Sequence, residues 1–114
     1  MVLDVWEYID TAGRSPFTKW LRALNVQAAA KVATALERIA AGNLSNVKTV
    51  GNGVLEYRVD FGPGYRIYFG RDGDRLVILL AGGTKKRQQE DIRQAKANWK
   101  DYRNRKSQER TRCH

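Results

Sequence analysis

Two arginines lie in neighbouring predicted strands, one on each side of a Gly-Pro-Gly turn. Arg58 belongs to GVLEYRVDF and Arg66 to GYRIYF, with Tyr68 two residues after Arg66. Side chains two residues apart in a strand share one face of a sheet, so Arg66 and Tyr68 should point the same way. Arginine is permanently charged, and its planar fork of donors fits phosphate oxygens. The pattern therefore predicts a surface for an anionic ligand, with a solvated set of cross-strand ion pairs as the alternative.

Alternation along the strands assigns further polar side chains to this face. One face of the predicted sheet is apolar and should pack against helices, which leaves the other face open to solvent. The face expected to be open carries Glu56, Arg58, Asp60, Arg66 and Tyr68. The apolar strand LVILLA ends at GGTKKR, so Lys85, Lys86 and Arg87 are expected at the rim of the same face.

A metal-dependent nuclease that uses Glu56 and Asp60 is disfavoured. Two carboxylates four residues apart on a strand are separated by about 13 Å, too far to share one ion without help. No metal or other cofactor is therefore expected.

Positive charge is concentrated towards the end of the chain. The sequence has a net charge of +9, and the stretch from Lys85 onwards holds 11 basic and 4 acidic residues. Such a surplus attracts nucleic acids, anionic membrane surfaces or acidic proteins. The chain is predicted to form a single domain over residues 1–102. Residues 103–114 have little apolar content, and their simplest interpretation is a disordered basic tail.

Location is indicated by what the sequence lacks. The chain has one cysteine, Cys113, so no intramolecular disulfide is expected, and no apolar run near 18 residues or secretory leader is recognisable. A cytoplasmic protein that does not span a membrane is therefore expected.

The elements that must position these residues follow the order β-α-α-β-β-β-α. A strand over 2–9 precedes a helix that Ser15 caps and Pro16 begins, and a second helix, capped by Asn25, is ended by Gly42. A loop over 42–53 leads to strands over 54–61, 65–69 and 75–81, where Asp72-Gly73 indicates a hairpin. A closing helix covers 88–102. The fold class predicted is α+β, with an antiparallel meander.

Two longer segments resemble a known group of proteins. GVLEYRVDFGPGYRIYF and LLAGGTKKRQQEDIRQAKANW are similar to the RelE/ParE superfamily of type II toxins, and within it to the HigB-like, phage-derived "addiction module killer" group. SPFTKWLRAL and ERIAAGNLSNVK fit the same group, so the resemblance covers about residues 3–102. It implies a small curved antiparallel sheet packed against an N-terminal α-hairpin and a C-terminal helix.

The resemblance implies a metal-independent mRNA endoribonuclease that acts on ribosome-bound message and is neutralised by an antitoxin, expected to be of the helix-turn-helix type. The substrate 2′-hydroxyl attacks its adjacent phosphodiester, which leaves a 2′,3′-cyclic phosphate and a 5′-hydroxyl. Arg66 matches the arginine that stabilises the scissile phosphate in that group. Arg58 matches a basic position on the preceding strand, and Lys85 matches the basic position that follows Gly-Gly.

Proton transfer has no clear residue in this pattern. Relatives use a histidine or tyrosine late in the chain, whereas the corresponding stretch KKRQQEDI has neither, and His114 at the chain end is interpreted as incidental. Geometry adds Tyr68 as a proton donor or base-stacking platform, and a lysine or tyrosine acting near neutral pH would need a lowered pKa. The residues expected to bind RNA outside the catalytic set are Lys86, Arg87, Arg93 and Lys96.

Two further functions stay open. ParE-type members of the superfamily inhibit DNA gyrase, although they tend to lack the basic set of Arg58, Arg66 and Lys85. A non-catalytic nucleic-acid-binding module would use the same cations only to hold phosphates.

Overall fold

The structure, a computed structural model, describes residues 2–112. Cys113 and His114 lie outside the described residues. The helices and strands in chain order are β1 (Asp4–Glu7), α1 (Pro16–Arg22), α2 (Val26–Ala40), β2 (Val47–Gly51), β3 (Val54–Val59), β4 (Tyr65–Asp72), β5 (Leu76–Thr84), a 3₁₀ turn (Lys85–Arg87) and α3 (Gln88–Arg112). The strands form one sheet in the order β1-β5-β4-β3-β2. The predicted α+β class is confirmed.

The sheet differs from the prediction at both of its edges. Strand β2 lies within the predicted loop and pairs antiparallel with β3. Its hairpin is closed by Gly51, Asn52 and Gly53, all with positive φ, so the turn-forming residues belong to a tight turn and not to a long loop. Helices α1 and α2 carry the chain from β1 at one edge of the sheet to β2 at the other edge. Strand β5 later pairs parallel with β1, and the sheet is therefore mixed.

Both N-terminal helices begin where the sequence predicts. The hydroxyl of Ser15 accepts a hydrogen bond from the backbone N–H of Thr18 at 3.1 Å, and Asn25 Oδ1 accepts one from the N–H of Ala28 at 2.8 Å. These caps satisfy amides that the first turn of a helix leaves without partners. The apolar sides of α1 and α2 bury one face of the sheet in a shared core: Phe17, Val32, Ile39, Ile67 and Phe69 are all almost completely buried.

Helix α3 covers the second face of the sheet. Ala95 and Trp99 pack there against Tyr68, Ile78 and Leu80. Gly70 permits this close approach, since a Cβ at that position would lie 2.6 Å from the Trp99 ring. The prediction of an open polar face is therefore wrong for three of its five residues: Glu56 and Tyr68 are fully buried and Arg66 is only 4% exposed, whereas Arg58 and Asp60 are exposed.

The residues expected to form a disordered tail continue helix α3 as far as the structure describes them. Helix α3 continues from the predicted domain limit at Tyr102 to Arg112. Its extension is docked by charged contacts: Lys106 pairs with Asp72 on β4, and the Arg105 guanidinium lies 5.3 Å from the centre of the Tyr8 ring. Low apolar content concealed this docking, because the contacts are ion pairs and a cation–π interaction.

Candidate phosphate-binding site

A shallow pocket of about 410 Å³ lies at the end of the β3–β4 hairpin. Arg58 and Arg66 are direct partners across the two strands, and Lys85 follows the end of β5. These three cations line the pocket together with the connection between the strands, namely Asp60, Phe61, Gly62, Pro63 and Gly64. The structure thus brings together three of the four residues predicted to be catalytic.

The Gly-Pro-Gly turn holds Lys85 next to Arg66. The backbone N–H of Lys85 donates to the carbonyl of Gly64 at 2.9 Å. Gly64 has a φ of 82°, and a Cβ there would lie 3.4 Å from Arg66 Nη1 and 3.7 Å from Lys85 Cβ. These would be ordinary contacts, so glycine is favoured at this position by its positive φ, which would strain any other side chain.

The three cations differ in exposure and pairing. Arg58 and Lys85 are exposed, and within residues 2–112 neither takes part in an ion pair. Arg66 is buried, with Nη1 3.4 Å from the carbonyl oxygen of Gly64 and Nε 3.8 Å from Glu56 Oε1. Like charges directly opposite each other in a sheet are unfavourable, so an anion in the pocket would relieve the repulsion between Arg58 and Arg66.

A buried polar cluster lies beneath the pocket, between the sheet and the start of α3. Its members are Glu56, Arg66, Tyr68, Gln88 and Asp91. Gln88 Nε2 donates to Glu56 Oε2 at 2.9 Å. Four other polar atoms are buried without a hydrogen bond: Glu56 Oε1, Arg66 Nε, the Tyr68 hydroxyl and Asp91 Oδ2. Glu56 Oε1 is nevertheless within ion-pair distance of Arg66 Nε at 3.8 Å and of Lys48 Nζ at 3.6 Å, so the Tyr68 hydroxyl and Asp91 Oδ2 are the clearest unsatisfied atoms. Unsatisfied buried groups are costly, and such clusters are more frequent at functional sites than in ordinary cores.

The environment of Tyr68 disfavours both of its predicted roles, proton donor and stacking platform. Burial, followed by the negative charge of Glu56, raises the pKa of Tyr68 above its usual range, whereas Arg66 acts in the opposite direction. The lowered pKa that a tyrosine acting near neutral pH would need is therefore not found, and the hydroxyl keeps its proton. Because the Tyr68 ring is fully buried, it also offers no surface in this conformation on which a nucleobase of RNA could stack.

Asp91 is a site residue that sequence reasoning missed. Its carboxylate packs on Gly83, where a Cβ would lie 1.8 Å from Asp91 Oδ2, and Gly83 is the β5 partner of Arg66. Burial raises the pKa of the Asp91 carboxyl, and Arg87 opposes that rise. The helical spacing offered a signal: Asp91 shares the inner stripe of α3 with Gln88, Ile92 and Ala95.

The residues predicted to bind RNA form two groups. Lys86 and Arg87 are exposed in the 3₁₀ turn beside the pocket, and Arg87 pairs with Glu90 at 3.0 Å. Arg93 and Lys96 lie further along α3, outside the pocket lining, and Lys96 lies against the β2–β3 turn.

Within residues 2–112 no cluster of His, Cys, Asp or Glu could hold a metal ion. In the same range no helix has the length and apolar character needed to cross a membrane.

These features define a small α+β protein with a cationic pocket beside a β-hairpin. The sequence profile of the family described as "Phage derived protein Gp49-like (DUF891)" matches residues 19–100, more than two thirds of the chain. The chain belongs to this family, which is part of the RelE/HigB-like group of toxin–antitoxin toxins. It is also 44% identical over 81 residues to a Haemophilus influenzae protein that carries the name "Uncharacterized protein", an alignment that spans 70% of this chain and 82% of that one.

Proposed function

We propose that the protein is the toxin of a type II toxin–antitoxin pair and that it cleaves mRNA in the cytoplasm, on the ribosome, without a metal ion. The 2′-hydroxyl of one nucleotide attacks the adjacent phosphorus, the bond to the 5′-oxygen of the next nucleotide breaks, and a 2′,3′-cyclic phosphate and a 5′-hydroxyl remain. An antitoxin of the helix-turn-helix type is the partner proposed to neutralise it.

The observation that supports this proposal best is the convergence of Arg58, Arg66 and Lys85 on one pocket. The phosphorane formed during attack gathers negative charge, and fixed cations stabilise that charge more than they stabilise the substrate. Arg58 and Lys85 have no ion pair in the described structure, so they can approach a phosphate without first breaking one. Arg66 is held by Gly64 and Glu56 and supplies the fixed charge at the pocket base.

Proton transfer is the second requirement of the reaction. In this proposal the exposed Lys85 donates towards the leaving 5′-oxygen. The Tyr68 hydroxyl keeps its proton at neutral pH, whereas burial raises the pKa of the Asp91 carboxyl and makes its carboxylate a stronger proton acceptor than an ordinary aspartate, suited to take the 2′-proton.

The proposal is tested by inducible expression in bacteria, with primer extension on a reporter transcript. Wild type should arrest growth and produce discrete cleavage ends. Arg58→Ala removes an exposed side chain and should leave the fold intact, while it lowers cleavage about 100-fold if Arg58 stabilises the transition state. Arg75→Ala is the matched control, because Arg75 is exposed at the opposite end of β5 and should cleave as wild type does. Equal cleavage by all three proteins would discard the pocket as the catalytic site.

The burial of Arg66 and Tyr68 favours a second candidate, a nucleic-acid-binding protein that does not cleave. In that case wild type binds RNA and leaves it intact, and Arg58→Ala reduces the slope of log K against log salt by about 0.7 for a single strand. A supercoiling assay with DNA gyrase identifies the ParE-like alternative, in which growth arrest occurs without cleaved transcripts.

A further inference from the structure

One flank of helix α3 carries a row of four cations. Arg93, Lys96, Lys100 and Arg103 follow at intervals of three, four and three residues, which places them along one side of the helix. At 1.5 Å per residue the row is about 15 Å long. Within the described part of the chain none of the four takes part in an ion pair. We refer to these four residues as the α3 cation row.

The acidic side chains of α3 up to residue 108 are engaged elsewhere. Glu90 pairs with Arg87, Asp91 packs against Gly83, and Asp101 accepts a hydrogen bond from Tyr8 at 2.6 Å. Asp72 of β4 lines a neighbouring cavity with Arg103. Asp72 itself is bonded by Tyr102 and Lys106. The positive potential of the α3 cation row is therefore not neutralised by neighbouring carboxylates.

The α3 cation row borders a groove of about 600 Å³ between α3 and the β2–β3 turn. Lys96, Lys100 and Arg103 line it, and the exposed amides of Asn52 and Asn104 add hydrogen-bonding groups. Lys96 is positioned by the turn, since a Cβ on Gly51 would lie 3.2 Å from its Nζ. The groove thus combines regular positive charge with neutral polar groups, a lining suited to phosphate oxygens.

We infer that the α3 cation row binds the phosphate backbone of RNA and anchors the substrate, separately from the pocket that contains Arg58 and Lys85. The inference rests on the proposed function, because it assigns the row to the same RNA. One phosphate contact for each cation gives about four contacts along the row. Contacts of this kind position the RNA without reading its bases.

An acidic protein is a less suitable partner for this flank. Protein interfaces are centred on exposed aromatic or apolar anchors. The aromatic ring in the groove, Trp99, is only 6% exposed, and the exposed large apolar residues of the described chain lie elsewhere: Val2, Trp6, Ile9 and Val26.

The test is a binding titration with a fluorescein-labelled, single-stranded 2′-O-methyl RNA of 20 nucleotides. This probe has no free 2′-hydroxyl and cannot be cut, so binding is measured whether or not the protein is a nuclease. Fluorescence anisotropy at several salt concentrations gives the affinity and its salt slope. In a variant with all four residues of the row changed to glutamine, the salt slope should be smaller by about 3, because each lost contact removes about 0.7 for a single strand. Each lost contact should also weaken binding about fivefold at 0.1 M salt.

A matched variant removes the same charge from a part of the surface that borders neither the groove nor the Arg58 pocket. Arg14, Lys19, Arg22 and Arg75 are exposed, and their replacement by glutamine should change the slope by less than 1. Replacing Lys96 and Lys100 by arginine should keep wild-type binding. Thermal melting of each variant tests whether it is folded; Arg93, Lys100 and Arg103 are exposed, whereas Lys96 is half-buried.

Three results would overturn the inference. The first is an equal loss of affinity in the two four-residue glutamine variants, which would show that only net charge matters. The second is tighter binding of a poly-glutamate peptide than of the RNA, which would assign the flank to an acidic protein. The third is tighter binding of duplex DNA of equal length, which would assign it to DNA. If the variants bind as expected but the wild-type protein does not cleave RNA, the nuclease proposal is refuted. The α3 cation row would then still be an RNA-binding site.

Discussion

Replacing Tyr68 by phenylalanine is expected to stabilise the protein. The Tyr68 side chain is fully buried and its hydroxyl has no partner in good hydrogen-bond geometry, although the Glu56 carboxylate lies near enough to raise its pKa and Asp91 adds negative charge. A buried polar group without a partner costs about 1–3 kcal/mol, whereas the ring itself packs equally well as phenylalanine. At the low end of that range, the free energy of unfolding should rise by about 1 kcal/mol, and the melting temperature by about 4 °C for a domain of this size.

Tyr8→Phe is the matched control on the same face of the sheet. The Tyr8 hydroxyl donates to Asp101 Oδ2 at 2.6 Å, and burial and this carboxylate raise the pKa of Tyr8 to about 12. Removing a hydrogen bond to a charged acceptor should lower the free energy of unfolding by about 1.5 kcal/mol. Both variants are followed by circular dichroism during urea and thermal denaturation. A loss of 1 kcal/mol or more in Tyr68→Phe would refute the reasoning, since it would mean that the hydroxyl has a partner in the folded protein.

Three further substitutions test other parts of the structure by thermal melting. Burial raises the pKa of Asp91 in the folded protein above its ordinary value of 3.8. Below pH 3.8 the carboxyl is protonated and its contribution to stability is fully present. That contribution is lost as the pH rises through the pKa of the folded protein, because the buried carboxyl then becomes charged. Asp91→Asn should therefore stabilise the protein at pH 7 but not at pH 3, and an equal effect at both would contradict this. Gly82→Ala should cost about 3 kcal/mol, because its Cβ would lie 2.1 Å from the Trp20 ring, and an unchanged melting temperature would contradict that packing. Lys106→Ala should cost about 0.5–1 kcal/mol by breaking the pair with Asp72, and no loss would mean that this part of α3 is not docked.

Local features of the fold were predictable from the sequence because local chemistry determines them. Ser15 and Asn25 are good helix caps in any context, and Asp72-Gly73 permits the β4–β5 turn. The alternation of Glu56 with Tyr57 and of Arg66 with Ile67 assigned these side chains correctly to opposite faces.

Long-range features were not predictable in the same way. The sequence does not encode locally that β1 pairs parallel with β5, since that pairing depends on where the α1–α2 connection delivers the chain. Likewise, the polar content of the face that carries Glu56 and Arg66 resembles that of a solvated surface. It is buried because α3 continues across it with Trp99, and that covering contact is between segments far apart in sequence.

The candidate site was predictable as a set of residue types but not as an environment. Arg58, Arg66 and Lys85 converge because the strand register and the glycine turn are determined by short sequence patterns. The raised pKa of Tyr68 and the role of Asp91 depend on burial beneath α3, and burial is a property of the assembled fold.

The chemistry of the RNA ends tests the central claim most directly. Purified wild-type protein is added to a cell-free translation reaction with a labelled transcript, and the fragments are analysed by mass spectrometry. The account predicts fragments that end in a 2′,3′-cyclic phosphate and begin with a 5′-hydroxyl, with a yield about 100-fold lower for Arg58→Ala and unchanged for Arg75→Ala. Fragments with 3′-hydroxyl and 5′-phosphate ends, or an intact transcript with wild-type protein, would contradict it.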